Sequence, residues 1–199
     1  MVMIWGRLFV AAATAMALSV PASAQFSERY EFFKAVEEEN AAEVKAMAES
    51  ASSTIINSKK RESGRTALHI VTEKRDASWI NFLKGFGADV NVKDDAGDTP
   101  LILAASLRFT DGVQLLLAYG ARVDLANNRG ETPLIRAVQR ADMEAVRLLL
   151  KAGANPDQAD HVAGLSARDY AARDRRARRI LTLIENFENE AEDKVGPAL

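Results

Sequence analysis

The sequence predicts an all-α solenoid of stacked helix-turn-helix units joined by short β-hairpin loops, and three observations carry that expectation. A six-residue motif recurs: Gly64-Arg65-Thr66-Ala67-Leu68-His69 returns as Gly97-Asp98-Thr99-Pro100-Leu101-Ile102, as Gly130-Glu131-Thr132-Pro133-Leu134-Ile135 and, weakened, as Gly164-Leu165-Ser166-Ala167-Arg168-Asp169, with glycine spacings of 33, 33 and 34. A second motif keeps step with the first three copies: Phe86-Gly87-Ala88-Asp89-Val90-Asn91, Tyr119-Gly120-Ala121-Arg122-Val123-Asp124 and Ala152-Gly153-Ala154-Asn155-Pro156-Asp157. Between the two motifs the residues read as a pair of short helices. Self-similarity at such a period marks an array of units that bury their apolar faces only by stacking.

Composition agrees with a folded chain. Of 199 residues, 48% are apolar and 27% charged, which suits one domain of ordinary size. A formal charge of -2 creates no global field that would draw the protein to nucleic acid or an anionic membrane. The absence of cysteine excludes disulfides, thiolate metal sites, a nucleophilic thiol and a lipid-modified cysteine.

In chain order, residues 1–24 read as a leader and not as fold. Arg7 precedes an apolar run over residues 8–20 that closes with Pro21-Ala22-Ser23-Ala24. The run is well short of the about 20 residues that cross a hydrocarbon core, and Ala22 and Ala24 supply the small-x-small pattern of a signal peptidase site, so cleavage is expected before Gln25. The competing reading is an uncleaved anchor, helped by the apolar residues 1–5. Either way a Gram-negative envelope is implied, with the periplasm as address and secretion or an inner-membrane anchor as alternatives. No second stretch approaches membrane length, so no stable membrane insertion is expected after cleavage.

Each repeat unit reads as two helices for local chemical reasons. In the unit at residues 94–126, Thr99 precedes Pro100: a hydroxyl stands where it accepts an amide of the first turn, and proline takes the first helical position, where no amide is missed. The helix runs Leu101-Ile102-Leu103-Ala104-Ala105, and its alanines let the next unit approach closely. The second helix carries Val113, Leu115, Leu116 and Leu117 and ends at Gly120, placed to take a left-handed closing conformation. Gly97 serves the turn before the unit.

These motifs resemble the ankyrin-repeat family, whose unit is about 33 residues long with a Thr-Pro-Leu-His core. The resemblance covers nearly all of the chain after the leader and implies an irregular N-terminal capping repeat at residues 25–60, ankyrin repeats at 61–93, 94–126 and 127–159, a C-terminal capping repeat at 160–190 and a tail at 191–199. In the first unit Ala35-Val36 and Val44-Lys45-Ala46-Met47 match helix positions, while the glycine turn and the Thr-Pro pair are missing and Ser50-Ala51-Ser52-Ser53-Thr54 reads as extra loop. In the last, Arg168 and Asp169 replace Leu-His and there is no closing Gly-Ala. Terminal units depart in this way because one face must meet water.

The resemblance also implies a function, protein–protein interaction through the concave face. In the family the variable contacts come from hairpin tips and the start of the inner-helix groove, which here are Glu62, Ser63, Arg65, Glu73 and Lys74, then Asp95, Ala96, Asp98, Ser106 and Leu107, then Asn128, Arg129, Glu131, Gln139 and Arg140. The expected partner-binding set is Arg65, Glu73, Lys74, Asp98, Ser106, Leu107, Arg129, Glu131, Gln139 and Arg140. Arg65, Leu107, Arg129 and Arg140 stand foremost, since arginine is enriched at hot spots and an exposed leucine there needs a reason. The rest are solvated surface unless shown otherwise. The partner is expected to be a protein, the chain a monomer, and the cofactors none. A scaffold is one form of such a module; an inhibitor or protective accessory factor of an exported enzyme or toxin is the alternative.

Other conspicuous residues have plain structural readings. His69 occupies the family's Leu-His position, where the imidazole bonds neighbouring backbone. His161 with Asp157 and Asp160 is weak evidence for a metal. Trp79, Phe82 and Phe86 recur at helical spacing and read as the apolar face of a second helix, not as a platform for bases. Arg168, Arg173, Arg175, Arg176, Arg178 and Arg179 can be read as a nucleic-acid patch. Asp169 and Asp174 interrupt them, however, and Glu185, Glu188, Glu190, Glu192 and Asp193 follow, so a solvated cap helix with pairs about four residues apart is expected. No nucleophile elbow, H-E-x-x-H or phosphate-cradling loop is present. An enzyme on this scaffold would need acids and bases converging on the concave face, for which Glu73, Asp98 and Glu131 are the available carboxylates.

Overall fold

A computed structural model describes residues 22–50 and 54–195. Most of the leader expected at 1–24, the middle of the loop expected at 50–54 and the end of the tail lie outside the described residues.

Ten α-helices follow one another among the described residues: α1 (Ala22–Glu37), α2 (Ala41–Glu49), α3 (Ala67–Glu73), α4 (Ala77–Gly85), α5 (Pro100–Ser106), α6 (Thr110–Ala118), α7 (Pro133–Gln139), α8 (Met143–Lys151), α9 (Ala167–Arg173) and α10 (Arg178–Val195). Short 3-10 turns stand at Ile55–Asn57 and Arg175–Ala177. The odd-numbered helices stack in series as an inner layer and α4, α6, α8 and α10 as an outer layer. This is an all-α repeat solenoid. The loops between units, expected as β-hairpins, are tight turns, and no residue among those described is in a strand.

The inner helices α3, α5, α7 and α9 are only seven residues long, too short to be stable alone, so their ends must be satisfied locally. The hydroxyls of Thr99, Thr132 and Ser166 accept the amides of Ile102, Ile135 and Asp169, each at 3.2 Å. Pro100 and Pro133 take the first helical position. At α3, His69 does the same work from the other side. Its Nδ1 accepts the Thr66 amide at 3.2 Å and its Nε2 donates to the carbonyl of Asp98 at 2.9 Å, so one fully buried imidazole caps its own helix and ties it to the next unit.

The outer helices start on Asn40, Asp76 and Asp142, whose side chains accept the amides of Glu43, Trp79 and Ala145. Helix α6 has no such cap. There the buried ring of Phe109 lies against Gly112, where a Cβ would come within 2.3 Å of it. The turns from inner to outer helix place Glu39, Arg75, Arg108 and Ala141 at φ between 52° and 58°, a left-handed conformation that side chains other than glycine tolerate at a cost.

The core is continuous through the stack, from Phe32 and Val36 through Leu68, Ile80, Leu101, Leu116, Leu134 and Leu149 to Ile180 and Ile184. Trp79 is buried, and it, Phe82 and Phe86 form edge-to-face pairs at 4.9 and 5.0 Å along α4, as expected of core.

The first unit keeps one feature of the regular repeats: Ile56-Asn57 is the counterpart of Val90-Asn91, with Ile56 buried as Val90 is. Asn57 accepts the Asp89 amide at 2.8 Å and donates to the Gly87 carbonyl at 3.2 Å, as Asn91 does to the Arg122 amide and the Gly120 carbonyl one unit on. The arginine-rich stretch is not one helix with pairs four apart. Asp174 ends α9 in extended conformation, its carboxylate accepts the Arg176 amide at 2.8 Å, and its ion pair with Arg176 spans two residues.

Three outcomes are expected. Leu116→Ala or Leu149→Ala, at side chains with no exposure, lowers the unfolding free energy by about 2 to 5 kcal/mol through a core cavity, out of a total of about 5 to 15, read by chemical denaturation. Arg108→Gly raises it by about 0.5 to 1 kcal/mol by relieving the left-handed turn; a decrease would contradict that backbone assignment. Burial lowers the His69 pKa from 6.5 in spite of its bond to Asp98. The unfolded chain then takes up a proton that the folded chain refuses, so this stability is complete above pH 6.5 and is lost as the pH falls through and below that value. Denaturation midpoints at about pH 7.5 and 5.5 measure it, with His69→Gln expected to flatten the difference.

Candidate binding face

The turns that precede α3, α5, α7 and α9 lie side by side, because each is closed internally and then bonded to the next. Backbone bonds Lys60 to Arg65 (2.8 Å), Asp94 to Asp98 (2.9 Å), Asn127 to Glu131 (3.0 Å) and Asp160 to Leu165 (3.0 Å) close them. The amides of Asp95, Asn128 and His161 donate to the carbonyls of Ser63, Ala96 and Arg129 at 3.0, 3.1 and 2.8 Å, joining the tips into one strip. Gly97 and Gly130 permit this twice over: their φ values are 80° and 77°, and a Cβ on either would lie within 2.7 Å of the next tip's backbone nitrogen.

A side chain recurring every 33 residues fixes the shape of the last three tips. Asp94 accepts the amides of Ala96 and Asp98 at 2.9 Å, and Asn127 those of Arg129 and Glu131 at 3.0 Å. Asp160 accepts those of Val162, Ala163 and Gly164 at 2.9, 2.6 and 3.2 Å, and its other oxygen accepts the Tyr170 hydroxyl at 2.6 Å. Burial of Asp160 alone would raise its pKa, but these donors lower it; the same carboxylate raises that of Tyr170. Asp160 is therefore a structural anion. His161 gives its amide to the neighbouring tip, and no group of three or more potential metal ligands occurs among the described residues.

The residues expected to meet a partner are largely engaged within the fold. Arg65 bonds Glu73 at 2.7 Å and lies 3.7 Å from Asp94. Lys74 reaches Glu39 at 2.8 Å and the Glu37 carbonyl at 2.5 Å. The Asn127 amide group donates to Asp98 at 2.8 Å and to Glu131 at 3.0 Å. Arg136 collects three of the expected residues: its Nε donates to Ser106 at 2.9 Å, and one terminal nitrogen faces Glu131 at 3.3 Å and Gln139 at 3.4 Å.

Two expectations about exposure are overturned. Glu131 is not a solvated surface carboxylate; it is 4% exposed, held by Asn127 and Arg136. Leu107 is not an exposed leucine, because as the capping residue of α5 it turns back onto the core and is half-buried. Arg129 and Arg140 do project into solvent, the Arg129 side chain 3.7 Å from Glu131. Sequence reasoning missed Arg136, although a signal existed: it occupies the register held by Ile70 and Leu103 in the two preceding units, where a lone arginine demands partners.

The geometry is thus a strip of tips beside a row of short helices, carrying bonded polar side chains and the exposed Arg129 and Arg140. A family model for ankyrin repeats in three copies matches residues 74–160 and 113–192. No curated protein is significantly similar to the chain. The matched segments span more than half the sequence and contain the capping residues Thr99 and Thr132, the turn glycines Gly97 and Gly130 and the helices α4 to α9, and the chain belongs to the ankyrin-repeat family.

Proposed function

We propose that the protein is a non-catalytic, monomeric module that binds a protein partner along its tips and inner-helix groove in the periplasm. Ankyrin repeats are generally protein–protein interaction modules; the partner face and the compartment are the added steps. The observation that carries the reading is the ordering of the face before any partner arrives. Ser106, Glu131 and Gln139 are held on Arg136, and the tips are bonded to one another, so a partner orders few side chains on docking and more of the contact energy is realised as affinity. Arg129 and Arg140 remain extended into solvent as the arginines that contribute most at interfaces. Glu73, Asp98 and Glu131, the carboxylates an enzyme on this scaffold would use, are each engaged with a cation or an amide, which favours the binding reading.

Export rests on the leader at residues 1–24. No helix among the described residues is long and apolar enough to cross a membrane. A role as inhibitor or protective factor of an exported protein uses the same face.

Photocrosslinking in living cells, with the reactive residue at Arg140 and a control at Gln114 on the outer helix α6, tests the reading. The expected result is one protein captured from Arg140 and not from Gln114, recovered in the periplasmic fraction. Equal capture from both positions contradicts the face, and recovery from the cytoplasm contradicts the compartment.

A further inference from the structure

The junction between α9 and α10 departs from every other inner-to-outer turn in the stack. Elsewhere three residues join the two helices, as at 74–76 and 107–109, whereas four stand between Arg173 and Arg178 and three of those form a 3-10 turn. Within residues 173–179 Ala177 alone is buried, which leaves Arg173, Arg175, Arg176, Arg178 and Arg179 exposed around it. Arg176 is paired with Asp174 at 2.8 Å, while the other four arginines make no ion pair among the described residues.

The acids around the cluster are already committed. Asp174 holds Arg176, and Asp169 accepts the amide and the hydroxyl of Ser166 at 2.9 and 2.7 Å. On α8, which packs beside α10, Asp142 caps the helix and Glu144 lies 3.5 Å from Arg147. The next acid along α10 is Glu185, about 9 Å beyond Arg179 on the helix axis. Local structure gives no reason for Arg178 and Arg179. Helices α2, α4, α6 and α8 each carry an acid in the first turn or at the cap, Glu43, Asp76, Asp111 and Glu144. Helix α10 has no acid in its first turn and opens on two arginines, whose charges oppose the positive end of the helix dipole.

We propose that this arginine cluster is a second docking site, outside the tips and the inner-helix groove, which takes a short run of aspartates and glutamates in a partner protein. Each of the four unpaired guanidinium groups offers a fork of N–H donors that matches a carboxylate, and a bound anion relieves the repulsion among them. The cluster is an island bounded by Asp169 and Glu185, so it suits a few carboxylates and not a long phosphate backbone, whose binding grows with the number of phosphates neutralised. A base has nothing to stack on, because Tyr170, the nearest aromatic residue in sequence, is half-buried with its hydroxyl bonded to Asp160 at 2.6 Å. An anionic membrane is disfavoured by the acids that α10 carries from Glu185 onward.

The test uses isotope-labelled protein purified after expression of the full chain, titrated with hexaglutamate and with hexalysine. Amide resonances of residues 173–179 are expected to shift with hexaglutamate alone, at an affinity that falls as salt is raised. The double variant Arg178→Glu, Arg179→Glu is expected to lower that affinity about tenfold. The same variant is expected to raise the unfolding midpoint, since acids then stand at the helix N-terminus. A lower midpoint shows that the arginines serve the fold and overturns the proposal. So does an absence of shifts at these residues, shifts confined to the tips at 94–97 and 127–130, or tighter binding of a single-stranded oligonucleotide or an anionic vesicle than of hexaglutamate. Self-association at low salt that the variant abolishes also overturns it, by assigning the cluster to the acidic end of α10 in a second copy. Crosslinking from Arg140 reads the tip and groove face separately, so either site can fail alone.

Discussion

No unit of this chain owns a core. A helix of seven residues and one of nine cannot hold themselves in water, and their apolar side chains are covered only when the next pair arrives. Leu68, Leu101 and Leu134 stand at the same register of successive inner helices, each with essentially no exposure, in one cluster that runs through the stack. Close approach is possible because alanines line the contact: Ala67, Ala104, Ala105, Ala137, Ala167 and Ala171 are all fully buried. Larger side chains there would push the units apart and open the whole series of leucines. The caps follow from the same constraint, since a seven-residue helix has nearly all its terminal amides and carbonyls without helical partners, and an uncapped one would bury them unsatisfied.

What was legible in the sequence divides along the range of the interactions. Thr99 before Pro100, Gly97 and Gly130 in their turns, and His69 against nearby backbone are local devices whose partners lie within a few residues or one unit away at a fixed period. Such chemistry can be read from spacing. Glu131, Arg136 and Leu107 could not be read in that way. The Arg136 bond to Ser106 and the Asn127 bond to Asp98 join residues 30 and 29 apart on different helices and tips, so their existence depends on how the units stack and not on what each unit is. Leu107 looked exposed because its position in the family is variable, but a capping residue at the end of a short helix can turn its side chain inward. The first unit hid its regularity for a simpler reason. Its turn has no glycine, and only the bonds of Asn57 to the next unit reveal the shared register.

The polar residues of this fold do two kinds of work, and telling them apart locates the functional surface. Asp94, Asn127 and Asp160 hold tip amides, Asn57, Asn91 and Asp124 join unit to unit at the other end, and Lys59 and Lys93 donate to the carbonyls of Lys93 and Ala126 at 2.6 Å. These groups recur with the period because the stack needs them at every step. Groups that break the period are free of that duty. At one inner-helix register the chain carries Ile70, Leu103, Arg136 and Tyr170 in turn, so this register changes from aliphatic to polar along the stack while its backbone stays constant. Arg129 and Arg140 stand exposed in the unit that carries Arg136. The same periodic scaffold that makes the fold uniform therefore gives the face a direction, through the few positions at which the repeat does not repeat.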